Sequence, residues 1–202
     1  MKMKIDRKTG ILLTLITFFA LSSAVLAISL LSNNKDQDHS NTMNGMHHSS
    51  AGKVLSSSDV MFLQMMIPHH EQAVIMSDLA IKISTNKELL TLAAQIKSAQ
   101  NPEIVQMKKW LADDGLGEDP GHSMDGMGGM LSEDELTDLS NSTGKNFDKK
   151  FISGMIEHHL GALDMVRMIE DSKVAELRSF ADSITKTQSA EIDLMRKLLT
   201  KI

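Results

Sequence analysis

The sequence predicts an all-α protein, a four-helix bundle assembled from two repeated helical hairpins behind an N-terminal signal or anchor helix. Three observations carry that expectation. The segment Met66-Ile67-Pro68-His69-His70, with Ala73 and Met76, returns 89 positions later (155 − 66) as Met155-Ile156-Glu157-His158-His159, with Ala162 and Met165. Apolar residues around both copies recur at the three-and-four spacing of a helix. Within each half, only a few residues separate one periodic segment from the next, so each pair folds back as an antiparallel hairpin.

From the N-terminus, residues 9–32 form a run of 24 residues without a charge, after Lys2, Lys4, Arg7 and Lys8. A bilayer takes roughly 20 residues, so the run can span one, and Val25-Leu26-Ala27 offers a small-residue cleavage site. It serves as a cleaved signal or an uncleaved anchor. Either way the basic flank stays inside, and the rest of the chain lies in the periplasm or on the outer face of the cytoplasmic membrane. Residues 33–58 are polar and rich in Ser, Asn and His, and read as a disordered tether carrying Met43, Met46, His47 and His48.

The bundle follows over residues 59–202. A first helix is expected from about Asp59, capped by Ser57 or Ser58, to Ser84. Pro68 inside it removes a hydrogen bond at a cost of about 3 kcal/mol and predicts a kink directly before His69. A second helix runs from about Lys87 to Ala112. Residues 115–131 read as a flexible linker, with Gly at 117, 121, 126, 128 and 129 among His122, Met124, Met127 and Met130. Ser132 and Glu135 then form a capping-box pattern that starts a short helix toward Leu139. A third long helix is expected from about Asn146 to Glu170 and a fourth from about Val174 to Lys201. The second and fourth repeat as well, since Ile96, Gln100, Glu103, Ile104, Met107 and Leu111 match Ile184, Gln188, Glu191, Ile192, Met195 and Leu199 at an offset of 88 (184 − 96).

Composition narrows the function classes. The 202 residues are 42% hydrophobic and 23% charged, ordinary for a folded chain, but only 3% aromatic, with no Tyr and one Trp. Much of the core volume therefore falls to the 16 methionines, whose flexible side chains fill irregular space. A net charge of −5, with no basic run beyond the N-terminus, excludes nucleic acid as a partner. The absence of cysteine removes disulfides and thiol chemistry, and no Ser sits in a nucleophile elbow.

At about 100° per residue, Phe62, Met66, His69, His70, Ala73, Met76 and Ala80 share one helical face, as do Phe151, Met155, His158, His159, Ala162 and Met165. Gln100, Glu103 and Met107 gather with Trp110 on the second helix. These faces should turn inward, where each histidine needs a partner. Hydrogen bonds to Glu103 and Glu191 are one way to provide it. A metal is the other, and imidazole with thioether is the donor mixture that suits a soft monovalent ion. The candidate ligands on the helices are Met66, His69, His70, Met76, Glu103, Met107, Met155, His158, His159, Met165, Glu191 and Met195, although for Met107 and Met195 core filling is the favoured reading. Met43, Met46, His47, His48, His122, Met124, Met127 and Met130 lie where no core needs filling, which favours metal capture.

Ferritin-like di-iron bundles take a lone Glu from each of two helices and a Glu-x-x-His pair from each of the others. Here the pairs read Met66-x-x-His69 and Met155-x-x-His158, so a thioether stands in place of each hard carboxylate, favouring Cu(I) or Ag(I) over Fe(III). The pattern Phe62-x-x-x-Met66-Ile67-Pro68-His69-His70-x-x-Ala73-x-x-Met76, its second copy from Phe151, and the block Gln100-x-x-Glu103-Ile104-x-x-Met107-x-x-Trp110-Leu111 with its counterpart resemble domain of unknown function family 305, from about Ser58 to Ile202. Asn101-Pro102 and Leu160-Gly161 are small departures. The resemblance implies a ferritin-like fold and, from some members, exported copper-binding proteins tied to copper tolerance.

The resulting expectation is an extracytoplasmic protein, not an enzyme, that sequesters or chaperones Cu(I), with Ag(I) as a mimic and Cu(II) at exposed His47 and His48. Its partners would be the metal ion and a copper exporter or other copper protein, with membrane contact through the N-terminal segment alone; no oligomeric state follows. Histidine must be neutral to ligate, so affinity is expected to fall near pH 5. The alternatives are a ferritin-like di-metal oxidase, which needs more carboxylates, and a membrane-tethered helical adapter with structural histidines.

Overall fold

The computed structural model describes residues 54–119, 121 and 127–202. The N-terminal signal or anchor segment and candidate ligands Met43, Met46, His47, His48, His122 and Met124 lie outside the described residues. Every element among those described is helical: α1 (Ser57–Ile83), α2 (Lys87–Asp113), α3 (Glu133–Ser140), α4 (Gly144–Met165), a 3-10 turn (Val166–Ile169) and α5 (Ala175–Leu199). None of these helices is long and apolar enough to cross a membrane.

Local chemistry accounts for the ends. The cap of α1 is Ser56, one residue before the expected serines, because only Ser56 stands three residues ahead of Asp59. The Asp59 amide donates to Ser56 Oγ at 3.2 Å and the Ser56 amide to Asp59 Oδ2 at 2.8 Å, closing a capping box. The Ser132 and Glu135 box forms as expected on α3. Asn86 caps α2, which ends where Gly115 adopts φ +70° and the Leu116 amide reaches back to the Leu111 carbonyl at 2.8 Å. Both α1 at Pro68 and α2 at Pro102 continue through their prolines. The third long helix is shorter than expected in α-form, tightening into the 3-10 turn after Met165.

Helices α1 and α2 pack as one hairpin and α4 with α5 as the other, with α1 against α4 as the main seam between them. At the seam, the Ser84 hydroxyl donates to Asp148 Oδ1 at 2.6 Å in a buried position. Trp110 of α2 meets Phe180 of α5 edge to face, ring centres 5.1 Å apart.

The core divides into two apolar clusters, upper and lower. The upper takes residues 73–80 of α1, 89–96 of α2, 147–156 of α4 and 192–198 of α5; the lower takes 55–67, 104–111, 162–169 and 177–184. On every long helix the polar inward residues fall between the two: His69 and His70, Gln100 and Glu103, His158 and His159, Gln188 and Glu191. A polar layer thus crosses the middle of the bundle.

The segment between the repeats is held at both described ends. Gln64 Nε2 donates to the Gly117 and Asp119 carbonyls at 2.8 and 3.1 Å. Farther on, Gln72 exchanges two 2.8 Å hydrogen bonds with the Leu131 backbone. Between these points the turn at Gly128 and Gly129 lies directly on α4: a Cβ on Gly161 would meet the Gly128 carbonyl oxygen at 2.0 Å, and one on Gly129 (φ +86°) would meet the Glu157 oxygen at 2.5 Å. Residues 127–131, expected to be flexible, are a docked strap.

Candidate metal centre

The four helical histidines are placed as their spacing predicts, all on inward faces and each 0% exposed. They divide into two kinds. His70 Nε2 donates to Glu103 Oε2 at 3.0 Å and His159 Nε2 to Glu191 Oε2 at 2.7 Å, so each repeat holds one histidine against its own carboxylate. That bond leaves the lone pair of the neutral ring on Nδ1, and in both residues Nδ1 is buried without a partner. A carboxylate holding one imidazole nitrogen while the other faces inward is the arrangement that orients metal-ligating histidines.

His69 and His158 have no carboxylate. Their rings face each other across the seam between α1 and α4, centres 3.7 Å apart and planes tilted by 36°, and neither Nδ1 nor Nε2 of either ring has a hydrogen-bond partner. Burial and then the neighbouring His70 and His159 hold the His69 imidazole far below its ordinary range, at about 3; the Gly128 backbone, close by but outside hydrogen-bond geometry, opposes the shift. Burial also drives His158 well below the ordinary range, helped by His69, His159 and His70. The His69 ring is thus neutral, with its lone pair available, well below pH 5, and His158 is displaced in the same direction. The loss of affinity expected near pH 5 therefore moves lower for these two, because the buried site excludes the proton as well as water.

The thioethers close the layer from both sides. Met66, Met107 and Met165 belong to the lower cluster, and Met76, Met155 and Met195 to the upper; all are buried. Met66 and Met107 stand one turn from His70 and Glu103 on their helices, as Met155 and Met195 do from His159 and Glu191. Met127 of the strap packs against the lower cluster, and Met130 is half-buried. Glu103 and Glu191, predicted as ligands, are engaged with His70 and His159. Among the described residues no three His, Asp or Glu side chains converge to hold an ion together. A hard-donor centre of the di-iron kind is not assembled there.

Sequence reasoning missed Gln100 and Gln188 as members of the layer's unsatisfied set. Both polar atoms of the Gln100 amide, Nε2 and Oε1, and Oε1 of Gln188 are buried without partners. Their place one turn before Glu103 and Glu191 was the available signal.

The chain matches the sequence profile of the domain of unknown function DUF305 over residues 59–199. Its backbone is similar to that of a DUF305 protein from Streptomyces coelicolor described as secreted, at 30% identity and a TM-score of 0.68 over 72% of this chain and 92% of that one. A DUF305 fragment from Deinococcus radiodurans gives 30% and 0.69 over 73% and 98%. CopM in its Cu(I)-bound form gives 32% and 0.61 over 71% and 96%, and CopM has also been solved bound to Cu(II) and to Ag. No curated protein matches.

Proposed function

The chain belongs to the DUF305 family, and from that premise together with its donor set we propose that it is an exported copper-binding protein that sequesters Cu(I) or hands it on. One observation carries the reading: four fully buried histidines present six imidazole nitrogens without partners, bounded on both faces by thioethers. Buried polar atoms normally find hydrogen bonds, and such atoms left open at a cost to stability mark a place where something else binds. Neutral imidazole and thioether suit Cu(I), and Ag(I) as its mimic, better than a hard cation. The Cu(I)-bound and Ag-bound forms of CopM support the same metal class.

On this reading copper is cargo and the protein is not an enzyme. Glu103 and Glu191 orient His70 and His159, and the buried layer keeps water from the ion. Met127 and Met130, with the Met and His residues flanking the bundle, supply the first capture. A copper exporter or another copper protein takes the ion onward.

The test is anaerobic Cu(I) loading at pH 7.5 of the full chain and of a variant with His69, His70, His158 and His159 all changed to Ala, read by elemental analysis. The variant should hold fewer copper ions per chain. Equal copper content would remove the bundle as the site. Competition titrations with a Cu(I) chelator should show the affinity lost on changing His69 to Ala to be as large at pH 5 as at pH 7.5.

A further inference from the structure

The repeat relates more than sequence. Position 66 corresponds to 155, 107 to 195, 70 to 159 and 103 to 191, and the two core clusters exchange under the same correspondence: Met66 and Met107 lie below the polar layer, Met155 and Met195 above it. Each repeat therefore carries the same donor types on its own hairpin. The first has His70, held by Glu103, with Met66 and Met107; the second has His159, held by Glu191, with Met155 and Met195. In both, the buried Nδ1 lacks a partner.

The central pair bears on how many ions this layer takes. A ligating nitrogen stands about 2.0 Å from its metal, so two imidazoles sharing one ion at an open angle hold their ring centres well beyond the 3.7 Å that separates His69 from His158. At that separation the two rings are in van der Waals contact, which leaves no room for an ion between their faces. We propose that the bundle takes two soft monovalent ions per chain, one in each repeat's half-site on opposite faces of the polar layer, and not a single ion clasped between the hairpins. This rests on the copper reading above.

Native mass spectrometry of the full chain loaded with Cu(I) provides the test, because it counts ions whatever the flanking segments hold. Met66→Leu with Met107→Leu should lose one ion relative to wild type, Met155→Leu with Met195→Leu should lose one, and all four together should lose two. If each pair loses one ion and the quadruple variant also loses only one, a single shared ion is present; the inference fails while the copper reading stands. If neither these variants nor the four-histidine variant changes the count, both fail. Should a Leu variant not fold, His70→Leu and His159→Leu are examined with methyl-labelled methionine by NMR during Ag(I) addition. Each should silence the methyl shifts of its own half-site and leave those of the other; loss of both sets in either variant overturns the proposal.

Discussion

Four ring nitrogens concentrate the cost of this bundle. His69 and His158 bring every polar atom of their side chains into a site with no water access and no hydrogen-bond partner, and an unsatisfied buried polar group typically costs roughly 1–3 kcal/mol. Their neighbours His70 and His159 avoid part of that cost through Glu103 and Glu191. The partnered and unpartnered histidines are adjacent in sequence, so the helical period alone does not tell them apart; the difference comes from which helix each ring meets. His69→Leu combined with His158→Leu, which replaces two unsatisfied rings by apolar groups of similar size, is expected to stabilise the metal-free protein by about 1–3 kcal/mol while reducing its copper content. Urea unfolding with and without metal measures both. A clear loss of metal-free stability would mean that the stacked rings are a net structural asset.

Among the elements, the strap over residues 127–131 is the one whose behaviour its composition conceals. Glycine and methionine in a polar setting describe a linker, and nothing local indicates that Gly129 fits against Gly161, 32 positions away (161 − 129). The helices and their caps were legible because their causes are local. Even the one-residue displacement of the first cap was readable in Ser56-x-x-Asp59. Gly161→Ala is expected to dislodge the strap, because its methyl would meet backbone at 2.0 Å and neither chain can yield cheaply. The expected cost is about 1–3 kcal/mol, accompanied by faster proteolysis within residues 115–131. Gly154→Ala is the control. There a new methyl meets only Leu131 and Met76 side-chain ends at 3.2–3.5 Å, and the gain in helix propensity approaches about 1 kcal/mol, so stability should hold or rise. Equal protease sensitivity in the two variants would show that the strap does not depend on the glycine contact.

For the molecule as a whole, duplication made the inward faces, the hairpins and the donor types readable, but not the interhelical register that pairs His69 with His158 or the exchange of core clusters across the layer. That register also sets the response to acid. An unfolded chain protonates His69 near its ordinary value of 6.5, whereas the folded chain resists down to about 3, and His158 is lowered in the same direction. The unfolded state therefore binds more protons below pH 6.5, and metal-free stability should be level above that point and fall beneath it by about 1.4 kcal/mol per pH unit for His69, with His158 adding to the fall in the same direction. Thermal unfolding of the metal-free protein between pH 7.5 and 5 checks the slope, and His69→Leu with His158→Leu should flatten it. The contact between Trp110 and Phe180 makes such measurements direct. The chain has no tyrosine, so its near-ultraviolet emission comes from one indole lodged against a ring of the opposite hairpin; separation of the halves changes that fluorophore's surroundings, and the protein reports its own opening without a label.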